Sequence, residues 1–236
     1  AIIEDDQLKD YRFMLEDLYR EKKHTLSAKE EIVISSFGES FAAASEISES
    51  LRDSDLTFDD IVDGEGKKYP LSESSYIHYQ MSDDRTLRKS AFESYYKTYK
   101  QHIHTFASAY RAQVKTAVTE ARLRGYGSSR EMSLSKNNIP LSVYDNLIES
   151  VHRHLNLMYR YLAIRKKLLS VDELHYYDVY APLSKGSNKQ YTYKQAQQMV
   201  LEAVSPLGQE YQKKVQQAFD EKWVDVYPNV GKSNGA

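Results

Sequence analysis

The sequence predicts a mainly α-helical protein, a bundle of long helices with one small β-hairpin, and three observations lead there. Apolar residues recur at three- and four-residue steps through most of the chain, the spacing that places them on one helical face. Nine Gly and five Pro in 236 residues are too few for the many tight turns of an all-β fold. Capping signatures of the form Ser/Thr-x-x-Glu/Gln stand at 27–30 and 192–195, where a hydroxyl and a side-chain acceptor satisfy the first free amides of a helix.

Taken in order, Leu8, Tyr11, Leu15 and Leu18 predict a first helix from Glu4 to about Lys23. Ser27 caps a second, with Val33, Phe37, Phe41, Ala44, Ile47 and Leu51 on its apolar face, ending near Asp53-Ser-Asp55. The helical period then breaks. Thr57, Phe58, Ile61 and Val62 have β character, Asp63-Gly-Glu-Gly66 is turn-forming, and Lys67 to Leu71 returns, so a hairpin is expected over 56–72. Pro70 belongs at a strand end, because it has no amide to donate.

Ser82-Asp-Asp84 predicts the start of the longest helix, with Ser82 as cap. Its stripe runs Leu87, Ala91, Tyr95, Tyr99, Ile103, Phe106, Tyr110, Val114, Ala117 and Ala121 until Gly125, a single rod of roughly 60 Å. Ser128 to Glu131 caps a short helix, and Ser142 opens a long one with Leu147, Val151, Leu155, Met158, Leu162 and Leu169 inward. The β-branched and aromatic run from Leu174 to Pro182 predicts an extended segment near 175–183. Thr192 opens a helix to about Val204, Ser205-Pro206 starts another that reaches Trp223, and a second extended segment is expected over 225–236.

Composition narrows function by exclusion. Lys+Arg at 32 against Asp+Glu at 34, with mixed signs along the chain, provide no basic stripe for a phosphate backbone, so nucleic acid is not an expected partner. No run approaches the roughly 20 apolar residues of a membrane span, so no membrane association is expected either. The absence of cysteine removes disulfides, thiolate-zinc sites and a Cys nucleophile, and suits a cytoplasmic location. The chain opens on Ala-Ile-Ile and stops at Ser233-Asn-Gly-Ala236, which reads as an excerpt of something longer.

Seven histidines invite a search for metal sites. His102-x-His104 and His152-x-His154 fail on geometry, because helical residues two apart point about 200° from each other. Glu21/His24 and Glu149/His152 have the Glu-x-x-His spacing of a di-iron bundle, yet Glu149 lies on a polar flank with Asp145, Arg153 and Asn156, and the first pair is expected at a frayed helix end. Asp53-x-Asp55-x-Thr57 begins like a calcium loop but has Phe58 where Gly is needed and Gly64 where a bidentate Glu belongs. No His-Glu-x-x-His, phosphate-binding glycine loop or Gly-x-Ser-x-Gly occurs.

Specific strings say more. Leu8-x-x-Tyr11-Arg-Phe, Lys23-His24-x-Leu26-Ser27, Leu56-Thr-Phe58, Arg88-Lys-x-Ala91-Phe92, Asn137-Asn-Ile-Pro140-x-x-Val143-Tyr-Asp-Asn-Leu147-Ile148 and His175-x-Tyr177-Asp178-x-Tyr180-x-Pro182 stand in this order. They are followed by Tyr191-Thr-Tyr193, Pro206-Leu-Gly208-x-x-Tyr211, Ala218-Phe-Asp220-Glu-x-Trp223-x-Asp225-Val-Tyr227 and Gly231-Lys232. The series closely resembles oligoendopeptidase F, within the thimet-oligopeptidase-like M3 family of zinc metallopeptidases.

The resemblance implies a cytoplasmic, helical enzyme that cleaves short peptides inside a deep channel, with zinc held by the histidines of His-Glu-x-x-His and a downstream glutamate. The chain matches the middle of that length and ends before the motif. No catalytic or metal role therefore passes to any of its histidines, and zinc is expected in the parent and not on this chain. Residues 1–138 resemble the helical channel wall, and residues 139–236 the opening of an incomplete catalytic domain. Gly235 and Ala236 fall where the family leads into a strand lining the substrate cleft, and are the substrate-binding candidates; a loose chain end is the competing reading. The implied partners are short peptides and the remaining catalytic portion of the same protein, with self-association through the surface that portion would cover. The rival reading is a helical scaffold that binds peptide or protein without catalysis.

Overall fold

The computed structural model describes residues 6–184 and 191–227. It is mostly helical with one two-stranded antiparallel sheet. The backbone divides into two units, one formed by residues 1–57 and 96–174 and the other by 58–95 and 175–236.

In the first unit a 3-10 segment, Asp6–Tyr11, leads into α1 (Arg12–Glu21) and a further 3-10 turn, Lys22–His24. The capping box at 27–30 is formed as its residues require. The Glu30 amide donates to the Ser27 hydroxyl at 3.5 Å, and the Ser27 amide to the Glu30 carboxylate at 2.9 Å. The helix it opens is not continuous: α2 (Ala28–Ser36) yields at Phe37 to α3 (Gly38–Ser50), which unwinds into a π turn at Leu51–Asp55.

The long rod is likewise two helices, α5 (Arg85–Gln101) and α6 (Ile103–Leu123), separated at His102 with φ −108° and ψ 13°. The His102 amide turns to Tyr99 three residues back, at 3.1 Å. Tyr99 and Phe106 sit two turns apart, about 10.5 Å on an ideal helix, and stack across the break with centroids at 5.4 Å. The α7 helix (Ser129–Ser135) is capped by the Ser128 hydroxyl. Next comes α8 (Leu141–Leu168), which starts directly after Pro140. The apolar core here is small, Ala121 with Tyr126 and Met132. The expected inward face of α8 is divided: Leu155, Leu162 and Leu169 are partly buried, while Leu147, Val151 and Met158 are each more than half exposed.

The second unit is organised by the hairpin. Strands β1 (Ile61–Val62) and β2 (Lys68–Tyr69) pair antiparallel, Ile61 opposite Tyr69 and Val62 opposite Lys68. Asp63 closes the turn, accepting from the Glu65 and Lys67 amides at 3.0 and 2.9 Å and from the Tyr69 hydroxyl at 2.8 Å. Ile61, fully buried, packs with Leu71, Leu87 and Ala91 beneath Phe58, Tyr76 and Tyr95; its burial alone is worth roughly 1.5–3 kcal/mol. The cap of α5 is Asp84 instead of Ser82. Its carboxylate accepts from Thr86 at 2.8 Å and reaches over to the Gly64 amide at 2.6 Å, so one side chain both starts the helix and fastens the hairpin tip. A short helix, α4 (Tyr76–Gln80), lies between.

The extended segment expected at 175–183 is instead a single 3-10 turn, Tyr176–Asp178, followed by bends. Its side-chain composition favours a strand, but the Asp178 carboxylate takes the His175 amide at 3.0 Å and curls the chain. Of the segment expected at 225–236, Asp225–Tyr227 carry no helix or strand, and the rest lies outside the described residues. Thr192 and Gln195 form their capping box ahead of α9 (Tyr193–Ala203). Pro206 sits in a 3-10 turn, and Gly208 separates it from α10 (Gln209–Asp220) with φ 95° and ψ 163°.

That backbone conformation is open to glycine alone. A Cβ at Gly208 would meet nothing within 4 Å, so the cost of Gly208→Ala is purely conformational, about 1–3 kcal/mol in urea unfolding. Gly38→Ala, at an ordinary helical position with equally open surroundings, should instead stabilise by about 0.4–1 kcal/mol. Equal effects at the two sites would contradict this assignment.

Candidate functional site

Among the described residues the Asp178 carboxylate is fully buried, 0% exposed. The chain brings to it two arginines spaced one helical turn apart at the start of α5. Arg85 grips it from both sides of the fork, Nε to Oδ1 at 3.1 Å and Nη2 to Oδ2 at 2.9 Å, while Arg88 Nη2 reaches Oδ1 at 2.9 Å. Arg88, 3% exposed, spends its other donors on backbone: Nε on Tyr177 at 2.9 Å, Nη1 on Ser82 at 2.8 Å and Asp83 at 3.1 Å. Buried Gln80 donates to the Arg88 carbonyl at 2.7 Å. The arrangement pins the 175–178 turn and residues 82–83 to one guanidinium, and α4 to the backbone of the same residue.

Burial by itself would raise the Asp178 pKa. Hydrogen bonds from Arg85, Arg88 and the His175 amide outweigh it and hold the group at about 2 against an ordinary 3.8. Such a carboxylate stays ionised at neutral pH, so it neither donates nor takes up a proton there; its work is positional. It holds in place a turn from which Tyr176 stands 81% exposed, flanked by exposed Val179 and Tyr180.

A second polar joint, within the other unit, overturns the expectation of a frayed end at Glu21 and His24. His24 is buried, stacked on Tyr126 at 3.4 Å between centroids, with Nδ1 donating to the Arg124 carbonyl at 2.8 Å. Glu21 accepts from Arg20, Ser135 and the Tyr126 hydroxyl. Arg124 pairs with Glu31 through two bonds of 2.8 and 3.1 Å, and this partner lowers the Glu31 pKa. The second Glu-x-x-His pair, Glu149 and His152, is exposed on α8. Among the described residues no group of three or more His, Asp or Glu is placed to hold a metal ion, so they do not supply a zinc site. An open groove of about 600 Å³ between α3 and α6, lined by Phe41, Ala44, Ile47, Ala109 and Ala112, has His104 as its titratable group.

The substrate-binding candidates Gly235 and Ala236 lie outside the described residues. The Asp178 cluster was missed from sequence, although its parts sit in the strings around Arg88 and His175 to Pro182. The available signal was a pair of arginines at i and i+3 flanking apolar Leu87 and ahead of Ala91, since charge on a core-facing turn needs a buried partner.

Removing that partner should be costly. Asp178→Asn leaves Arg88 buried without its counter-charge and should lower unfolding free energy by about 3–5 kcal/mol at pH 7. Arg85→Ala, at a side chain 42% exposed, should cost much less than Arg88→Ala. Because the folded pKa of Asp178 is depressed, its contribution, about 2 kcal/mol, is complete above the ordinary carboxylate range and lost as pH falls from about 4 toward 2. The wild-type advantage over Asp178→Asn should shrink by that amount across this window, read by urea midpoints; a gap independent of pH would refute the assignment.

The family model described as peptidase family M3 matches residues 78–236, and that described as oligopeptidase F matches residues 1–58. The chain is 40% identical over 235 residues to oligopeptidase PepF of Bacillus subtilis, covering 100% of this chain and 35% of that protein. It is 37% identical to group B oligopeptidase PepB of Streptococcus agalactiae, covering 39% of it. Among solved structures it resembles oligoendopeptidase F of Enterococcus faecium, with TM-score 0.73 and 37% identity over 91% of this chain and 40% of that one. A peptidase of Chlamydophila abortus, so described in its crystal structure, gives TM-score 0.76 at 35% identity over 99% of this chain and 39% of that one. The chain thus spans 35 to 39% of the length of the curated relatives it matches. With a family model matching residues 78–236 and relatives up to 40% identical along the whole chain, this chain belongs to peptidase family M3.

Proposed function

We propose that the chain is part of a longer zinc-dependent oligoendopeptidase that hydrolyses short peptides in the cytoplasm. In that reading residues 1–138 form channel wall, residues 139–236 open the catalytic domain, and Gly235 and Ala236 lie at the edge of the substrate cleft. The observation that carries it is the lopsided coverage: essentially all of this chain matches oligopeptidase PepF, while about a third of oligopeptidase PepF matches this chain. Two facts of the residues themselves support it. The sequence has no His-Glu-x-x-His, and among the described residues no group of three or more His, Asp or Glu is placed to hold a metal ion; in this reading the rest of the parent protein holds the zinc. The Asp178 cluster then serves as scaffold, holding an aromatic turn in a fixed place without taking part in proton transfer. No described helix is long and apolar enough to cross a membrane.

The 236-residue chain is expected to bind no stoichiometric zinc and to leave a quenched fluorescent peptide uncut, while the natural-length protein cuts it and loses that activity to a chelator. Tight one-to-one zinc, or turnover by the 236-residue chain, measured by elemental analysis and fluorescence, would overturn this reading. Peptide binding without turnover by the natural-length protein would favour the non-catalytic scaffold.

A further inference from the structure

Near the end of α1 a buried donor lacks an acceptor. Arg20 spends Nη1 on Glu21 at 2.6 Å and on Ser135 at 2.8 Å, and Nη2 on Asp17 at 2.5 Å. Its Nε is, among the described residues, the one buried side-chain polar atom without a hydrogen-bond partner, the kind of group a folded protein rarely leaves unexplained. Arg20 lines a hollow of about 280 Å³ with Lys23, Glu131 and Asn138 and with the apolar side chains of Ile139, Pro140 and Leu141. Two more donors stand there unused, since the exposed Lys23 ammonium and Asn138 amide have no side-chain partner among the described residues. A second hollow, of about 620 Å³, is lined by Tyr19, Arg20, Lys22 and Lys23 and so shares both Arg20 and Lys23 with the first. The gap is held at a fixed width: Ser135, at the end of α7, accepts from Arg20 and donates to Glu21 at 3.1 Å.

We infer that the smaller hollow binds the C-terminal residue of a short peptide, its carboxylate on Lys23 and Asn138 and its apolar side chain against Ile139, Pro140 and Leu141, while the preceding residues pass Tyr19 in the larger hollow. This rests on the reading above that the parent protein acts on peptides. Charge selects the ligand first. Asp17 and Glu21 already offset Arg20, so Lys23 offers charge for a single anion, and the Glu131 carboxylate in the same lining opposes a doubly charged phosphate. Size agrees, because pockets for drug-sized ligands run to about 300–1,000 Å³ and the smaller hollow, just below that range, has room for one residue. A terminal carboxylate is a recurrent handle in peptide recognition, and its bond to an ammonium is charge-assisted. Seated there, it also brings an acceptor to the wall that Arg20 forms, the one group Nε lacks.

Fluorescence anisotropy on the natural-length protein, stripped of metal by a chelator so that peptide is not cut, tests this with a fluorescein-labelled pentapeptide ending in leucine, as free acid and as C-terminal amide. The acid should bind about tenfold tighter than the amide, and Lys23→Gln should remove that preference by weakening the acid alone. Asn138→Gly, which keeps the left-handed backbone at φ 52° while deleting the side-chain amide, should weaken the acid about threefold or more. An acid preference that is missing from the wild type, or that survives in Lys23→Gln, would overturn the inference and leave peptide hydrolysis by the metal-loaded protein untouched. Displacement of the labelled acid by inorganic phosphate as readily as by acetyl-leucine would overturn it as well, marking a general anion site. A natural-length, metal-loaded protein that hydrolyses neither peptide would instead overturn the functional reading beneath it, with the ratio of acid to amide binding still measurable.

Discussion

An ionised carboxylate with no access to water is the constraint around which half of this molecule is arranged. Asp178 is tolerable only because Arg85 and Arg88 meet it, and Arg88 is tolerable only because its remaining donors find the carbonyls of Ser82, Asp83 and Tyr177. Those demands dictate where α5 begins, how residues 82–83 turn into it and why the chain curls at 175–178. The hairpin inherits its position from the same helix start, through Asp84 to Gly64 and through Ser90 to the Val62 amide at 3.0 Å.

A buried ion cluster of this kind contributes specificity more than net stability, because well-packed apolar side chains of the same volume would serve comparably. Its geometric consequence is the one that matters here. The 3-10 turn is fixed by five charge-assisted bonds, and Phe92 packs against the Tyr176 and Tyr177 rings at 6.4 and 6.0 Å. An exposed aromatic on so rigid a base presents a defined surface without paying to order it. The apolar core around it is small, Ile61 with Leu71, Leu87 and Ala91, so polar fastening carries a large share of the local order.

What the residues disclosed in advance follows the range of the interactions involved. The capping boxes at Ser27 and Thr192 and the Asp63 turn were legible because donor and acceptor lie within a few residues. The break at His102 was not, since neither Gly nor Pro marks it and a ring stack across the joint accompanies it. The Arg85 and Arg88 partnership with Asp178 spans about 90 residues, and the stack of His24 on Tyr126 about 100, with no local pattern to announce either. Periodicity marked the stripe of α8, of which Leu155, Leu162 and Leu169 are partly buried while Leu147, Val151 and Met158 are exposed: spacing shows that a face is apolar, never what covers it. Family membership was carried by ordered strings such as Asn137 to Pro140 and His175 to Pro182, which hold information that composition and period discard.

Whether these 236 residues are a portion of a larger peptidase is addressed most directly by the intact mass of the polypeptide from its natural source. Scaling 27.3 kDa by the 35–39% share of the relatives' length predicts about 70–78 kDa. A natural polypeptide of 27.3 kDa would contradict it.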